Sequence, residues 1–421
     1  MQSIALEIVK PCRLGLLLFS LILPGAGWGQ QAGKPLAPED AARTIVPEFQ
    51  FRGLEKGCLN ETGVAGLNRE FNGECGDFRG VKLKDVNFRG RNLTGADFSQ
   101  SELTRVDFRG ATLTGALFAS AILDTASFEG GNLGQVSFRD ARLLYANFTG
   151  ANLTLTNFTG ANINKADLRQ AVLHETNLTG ARLFRVDLSG RDLRNLKLAG
   201  ADLAWSNLKR CKLSGMKLDG AFLDQSDFEG AELQEVSLQK ANLTGANFSC
   251  AQLERAHLNK AILSNARLNE ARLREADLSD SNLVETILSG AAAEQANFKG
   301  ANLMNAQLRG SDLRDADLSE TTLYGADFSK ANLSGANFTG AHLGEQGKIT
   351  PLPDLDILFR PTQFKGARFD AKTRLPFSLE QSKQWGLLAI KEKPSKTETH
   401  QKDEPLQKAK PLSLEDFNQK K

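Results

Sequence analysis

Four histidines, one glycine-lysine loop and a pair of aspartates are the residues whose types could do chemistry in this 421-residue chain. His174, His257, His342 and His400 are scattered, and none falls in an HExxH or comparable ligand spacing. The five cysteines make no CxxC pair, so no metal site is expected. Gly344-Glu345-Gln346-Gly347-Lys348-Ile349 has the outline of a phosphate-binding loop. Its first glycine is misplaced, and Ile349 stands where magnesium binding needs Ser or Thr, so it is set aside. Asp167 and Asp187 become a carboxylate pair only if the fold stacks positions twenty apart. No catalytic, cofactor-binding or metal-ligating residue is expected, and the chain reads as not an enzyme.

The elements that would have to position such residues are unusual. The chain has 25 Phe but only 2 Tyr, 3 Trp and 3 Met, so its aromatic content must serve one repetitive packing role. Its 52 basic and 50 acidic residues leave a net charge of +2, which removes the electrostatic argument for a nucleic-acid binder. Residues 1–29 have the pattern of a secretory signal: Lys10 and Arg13 precede an apolar run from Leu14 to Leu23, and small residues near Gly27 and Gly29 offer a cleavage point. That run falls short of the ~20 residues needed to cross a bilayer as a helix, so no membrane span is expected in the mature chain. A periplasmic or secreted location follows as an expectation. In such an oxidising compartment Cys58 and Cys75, which flank a Gly-rich segment, are expected to pair in a disulfide worth ~3 kcal/mol. Cys12 leaves with the signal, and Cys211 and Cys250 lie far downstream.

From Phe78 to Leu343 every fifth residue is Leu or Phe, with Ile163 and Ala293 the only departures, over 54 repeats without a phase slip. Two positions earlier the residue is usually Ala, and between them stands Asp or Asn, as in Ala151-Asn152-Leu153 and Ala201-Asp202-Leu203. A period of five matches neither the 3.6 of a helix nor the 2.0 of a strand, so the chain must turn within every repeat. Phe78, Phe98, Phe118, Phe138 and Phe158 recur at intervals of twenty, as do Phe88, Phe108, Phe128 and Phe148. This regularity predicts that residues twenty apart stack.

On these A(D/N)LXX motifs the chain resembles the pentapeptide-repeat family, over 266 of its residues. The resemblance implies an all-β fold, a right-handed quadrilateral β-helix in which four repeats make one coil. The Leu/Phe and the small residue two before it would point inward, and the other three positions would face solvent. At ~4.8 Å per coil the rod would be ~65 Å long, and burying each Leu or Phe contributes ~1.5–3 kcal/mol. Asp167 and Asp187 would then stand ~5 Å apart, as in retaining glycosidases, but Asp is simply the repeat's preferred outward residue and a flat wall offers no cleft.

Arg91, Arg191, Leu196 and Met216 occupy inward positions that usually hold Ala, and a dilated or bulged coil is expected around the last three. An Arg there is expected to snorkel out at a corner. Ala293 should leave a void or draw its coil inward. The organisation reads as a signal peptide (1–29), an N-terminal linker and cap (30–75), the repeat β-helix (76–345), a C-terminal cap (346–390) and a disordered charged tail (391–421). After a Pro-containing excursion Phe364 and Phe369 resume a five-residue step. Ser378 to Gln381 reads as a capping box opening a helix that runs through Ile390, with Trp385, Leu387 and Leu388 covering the last coil.

Outward aromatics are confined to Tyr145, Phe184, Trp205, Phe222 and Tyr324, whose repeats all differ by multiples of twenty and so share one wall. Ile122, Leu144, Ile262, Val284 and Met304 join them, whereas Leu117, Leu155, Val172 and Ile287 are the large outward aliphatics elsewhere. An apolar stripe on a polar rod marks a binding or packing surface, for a protein partner, for a second copy in a homodimer, or for the chain's own terminal segments. The function expected is an exported, non-enzymatic scaffold using this wall, with a glycan or cell-wall polymer as the alternative partner. The family also contains DNA mimics that protect topoisomerases. A charge balance of 30 basic against 32 acidic residues over 76–345, together with the signal, runs against that role.

Overall fold

The computed structural model describes residues 76–343, 351–352, 355–358 and 361–390. The segments expected to be a signal peptide, an N-terminal cap with a Cys58–Cys75 disulfide and a charged tail lie outside the described residues. Each repeat contributes one bridge and one turn. The residue before the Leu/Phe pairs in parallel with its equivalent twenty positions on, as in Asp97↔Leu117 and Ile122↔Arg142. The Leu/Phe amide donates to the next coil, Phe98 N to Leu117 O at 2.7 Å, while the outward neighbour's amide reaches back, Asp97 N to Gly76 O at 2.8 Å. The chain then turns through a 78–81-type step, Val81 N donating to Phe78 O, in which the fifth residue takes a left-handed φ such as +66° at Gly80. Four such turns close one coil, giving the right-handed quadrilateral β-helix.

The preference for Asp or Asn has a local cause. Its side-chain oxygen accepts from the amide two residues on, as Asn87 Oδ1 does from Arg89 N at 2.9 Å, and so fixes the start of each turn. The four sides are designated wall 1 (repeat 76–80 and every twenty residues after), wall 2 (from 81–85), wall 3 (from 86–90) and wall 4 (from 91–95).

Inside, the two phenylalanine ladders rise from walls 1 and 3. Rings stack along each ladder, Phe98 on Phe118 at 4.9 Å and Phe108 on Phe128 at 5.1 Å. Across the lumen they meet edge to face, Phe118 against Phe128 at 6.1 Å and 87°. Small residues two positions before them are buried as expected. Three outward positions are buried too, Ala204, Ser249 and Ser319, because their side chains barely rise above the backbone.

The predicted dilation is present. The ladder is continuous from Asp77 to Thr322 except at 167/187, 172/192 and 197/217, where no bridge forms. Arg191 explains the second. Its guanidinium lies between coils and donates to Ala171 O at 2.5 Å, the acceptor that Asp192 N would take in the regular pattern, and to Leu168 O at 2.7 Å, which also keeps its turn bond from Ala171 N. It does not snorkel outward, a correction to the sequence expectation, because these carbonyls satisfy it within the wall. Burial pushes its pKa down. Leu196 and Met216, both buried, account for the third break by wedging larger side chains where Ala normally sits. The repeat ending at Asn195 is also the only one between 76 and 340 whose fifth residue does not take a left-handed φ. At Ala293 the ladder holds, with Ala292 paired on both sides.

Past Leu343, β1 (Pro351–Leu352) and β2 (Leu355–Leu358) pair as an antiparallel hairpin. The column then resumes, Gln363 pairing with Asp327 and Phe364 stacking on Phe328 at 5.4 Å. β3 (Arg368–Phe369) continues it. The capping box at Ser378 is present, but α1 spans only Leu379–Gln384 rather than reaching Ile390. Gly386, at φ +75°, turns the chain back so that β4 (Leu388–Ala389) can pair with β3. Trp385 stacks on Phe364 at 6.0 Å and Leu387 is buried, both covering the last coil. Leu388 does not, since strand pairing directs it outward and leaves it exposed.

Candidate interaction surface

Wall 2 gathers the outward aromatics. Its ladder runs Asn162↔Arg182↔Asp202↔Phe222↔Asn242↔Ile262 without interruption, so register alone aligns the side chains that project from it. Phe222 and Tyr145 are both 55% exposed and Trp205 is 49% exposed, values that leave most of each ring face open. Ile262 is exposed beside them, while Phe184 and Tyr324 are half-buried. All five predicted residues therefore share one surface, although they divide into prominent and recessed members.

The trailing corner of this wall holds an arrangement that counting aromatics alone did not reveal. Positions 145, 165, 185 and 205 form a column of Tyr, Lys, Arg and Trp, one from each successive coil. Lys165 Nζ donates to Tyr145 Oη at 2.9 Å and sits 5.0 Å from the ring centre. The Arg185 guanidinium lies 5.2 Å from the rings of both Phe184 and Trp205. Such contacts contribute ~0.5–1 kcal/mol each at exposed sites. Lys165, Arg182 and Arg185 make no ion pair among the described residues, whereas Arg142 is paired with Asp124 at 2.7 Å. The wall is thus aromatic in its middle coils, where Lys165, Arg182 and Arg185 share it with Asp202 and Asp224. The signal was present in the sequence at a spacing of twenty, but only if basic residues were tracked along with aromatic ones.

The corner column also carries a backbone cost. Tyr145 and Trp205 have φ of +58° and +61°, a region that disfavours residues with a Cβ by ~1–2 kcal/mol relative to the right-handed conformation. Many repeats put glycine there instead, as at Gly150 and Gly200.

Elsewhere the candidate chemistry dissolves into structure. Asp167 binds the Arg169 guanidinium at 2.6–3.0 Å, and that pairing holds its carboxyl below the usual range, unsuited to a general acid. Asp187 instead accepts from Ser189 N at 3.0 Å. Cys211 points inward, donates to Leu188 O at 2.9 Å, and burial pushes its thiol up to about 11. Among the described residues no group of three or more His, Cys, Asp or Glu is placed to hold a metal, and no helix is long and apolar enough to cross a membrane.

A family model described as pentapeptide repeats matches in eight copies, over 77–118, 121–160, 151–190, 192–225, 223–259, 251–290, 261–300 and 301–340. No match is found among curated proteins. Of the solved structures, HetL, a pentapeptide repeat protein involved in heterocyst differentiation regulation from Nostoc sp. strain PCC 7120, is 26% identical, with 64% of this chain and 92% of HetL covered and a TM-score of 0.14. The pentapeptide repeat protein alr5209 from Nostoc PCC 7120 is 30% identical over 30% of this chain and 84% of its own, with a TM-score of 0.17. Full-length QnrB1, a plasmid-mediated fluoroquinolone resistance protein, is 14% identical over 68% and 97% of the two chains, with a TM-score of 0.14. Such low superposition scores carry no weight for function. What the proteins share is the repeat.

Proposed function

The chain belongs to the pentapeptide-repeat family, and on that footing we propose that it is an exported, non-enzymatic scaffold whose wall 2 docks a protein partner bearing acidic groups. The carrying observation is the Tyr145, Lys165, Arg185, Trp205 column beside exposed Phe222. Trp, Tyr and Arg are the residues that dominate protein interfaces, because they combine large contact area with hydrogen-bonding capacity. Among the described residues Lys165, Arg182 and Arg185 make no ion pair, so a carboxylate brought by another protein finds them ready, and the wall's flatness suits a protein face better than a small molecule. Two of the aromatics are kept in a backbone conformation that glycine would occupy without strain, which supports a use for the rings beyond folding.

Self-association through the same wall is the second reading, and stacking on a glycan is the third. A Tyr145→Gly, Trp205→Gly double variant separates them, since it removes both rings while relaxing the backbone. Binding to an envelope protein identified with the wild type should fall at least tenfold, while mass in solution stays that of the wild type. A change in mass would move the assignment to self-association. Quenching of Trp205 fluorescence by cell-wall fragments would move it to glycans. Undiminished binding by the double variant would end the wall 2 reading altogether. Export is checked by the mature N-terminus, expected near Gln30, and full-length protein recovered only from cytosol would overturn it.

A further inference from the structure

The three breaks in the ladder are not spread evenly around the coil. At 167/187 and 172/192 walls 3 and 4 open between the same two coils, and at 197/217 wall 1 opens one coil later. Only wall 2 keeps every rung through this stretch, Asn162↔Arg182↔Asp202↔Phe222. Its amides reach across at ordinary distances, Ile163 N to Arg182 O at 2.9 Å, Leu183 N to Asp202 O at 2.7 Å and Leu203 N to Phe222 O at 2.8 Å. On the other sides the amides of Leu168, Gln170, Leu173 and Glu175 donate to no backbone acceptor among the described residues, and neither do those of Leu198 and Gly200.

The open sides also bring solvent closer to the core. Ala166 and Ala171 are 4% exposed and Leu173 is 8% exposed, whereas Ala161, Ile163, Ala181 and Leu183 behind wall 2 are at 0%. Charge adds to the steric causes. Asp167 faces Asp187 and Lys197 faces Lys217 across two of the gaps, and like charges directly opposite in neighbouring strands disfavour closure. Asp77 and Asp97 also face each other, with their bridge intact, but there Arg79 reaches both carboxylates. Arg169 pairs with Asp167 and not with Asp187.

We infer that the rod is jointed between residues 166 and 220, with wall 2 as the hinge line. A solenoid resists bending where each coil is bonded to its neighbours on every side. Here two regular segments stay tied along wall 2, while on wall 4 a flexible side chain, Arg191, replaces a rung through its bond to Ala171 O. Segments with few inter-strand bonds and a partly solvated core open at low free energy. Opening and closing of walls 3, 4 and 1 changes the angle between the two segments. The wall 2 register, and with it the spacing of Lys165, Arg185 and Trp205, is unchanged by that motion. The joint therefore lets the rod fit a curved partner without disturbing the side chains that dock it. This use rests on the wall 2 docking surface proposed above, whereas the joint itself does not.

The test measures distances by electron spin resonance in the full chain, with spin labels on ketone-bearing amino acids so that the native cysteines stay untouched. One pair is placed at Asn132 and Glu232 on wall 4, the other at Arg142 and Asn242 on wall 2. Each pair spans five coils, or ~24 Å. The wall 4 distribution is expected to be about twice as broad as the wall 2 distribution. It should narrow to match when Arg191→Ala, Leu196→Ala and Met216→Ala are combined, since these restore the small residue at each position. Equally narrow distributions in the wild type would show a rigid rod and overturn the inference. Equally broad ones would remove wall 2 as the hinge line and overturn it too. The wild-type comparison needs neither a partner nor a refolding variant, so it stands or falls independently of docking on wall 2.

Discussion

Coils 76–160 and the stretch 165–217 are built from one repeat, yet the first is an unbroken ladder around stacked phenylalanines and the second has three gaps. Both bury their Leu/Phe positions, so the gaps do not arise from a failing core. They arise two residues earlier, where Arg191, Leu196 and Met216 replace Ala at the point of closest approach between neighbouring coils. The lesson is that the large inward residue supplies the burial, while the small one sets the spacing. Arg191 then shows how a solenoid tolerates a misfit, because its guanidinium takes the place of the Asp192 amide and leaves the Ala171 carbonyl satisfied.

The contrast can be broken most forcefully in the regular coils. Phe118→Ala removes a fully buried ring flanked by Phe98 and Phe138, and is expected to lower unfolding free energy by ~3–5 kcal/mol. Chemical denaturation measures it, and a loss below ~1 kcal/mol would show that the ladder repacks freely.

In the dilated stretch the expected effects are smaller. Cys211 has its thiol raised to about 11 from an ordinary 9.0, so ionisation favours the unfolded chain. Stability from this group is complete below pH 9 and falls as pH rises, by about 2 kcal/mol at pH 11. Comparing wild type with Cys211→Ala across pH 8–11 isolates it, and parallel curves would refute it. Arg191→Met keeps the coils apart while abandoning the Ala171 carbonyl, and should destabilise by ~1–3 kcal/mol. Arg191→Ala restores the repeat, lets the 172/192 bridge form, and should slow amide exchange at Asp192. Unchanged exchange there would mean that Arg191 is not what holds the gap open. Smallest of all is Trp205→Gly, expected to be neutral or stabilising by up to ~1 kcal/mol because it relieves a left-handed φ, with the larger consequence confined to binding.

Much of this was legible beforehand because a repeat states its own geometry many times over. Phe98, Phe118 and Phe138 announce a twenty-residue coil, and the five outward aromatics announce a shared wall. The C-terminal helix was read six residues too long because Ser378 advertises a start clearly, whereas its end depends on Gly386 turning the chain so that Leu388 can meet Arg368. That pairing partner is twenty residues away and leaves no local trace. Arg191 was identified as a misfit, but its resting place was misjudged for the same kind of reason: the acceptors belong to the previous coil.

Sequence by itself determined the period, the inward set, the coil size and which residues share a wall, since all of these follow from residue type at fixed spacing. Tertiary structure decided which neighbours meet across coils. It placed Arg185 between two rings and directed Arg191 to backbone carbonyls. Spacing along the chain fixes a side chain's direction, but only stacking fixes what lies within a few ångströms of it.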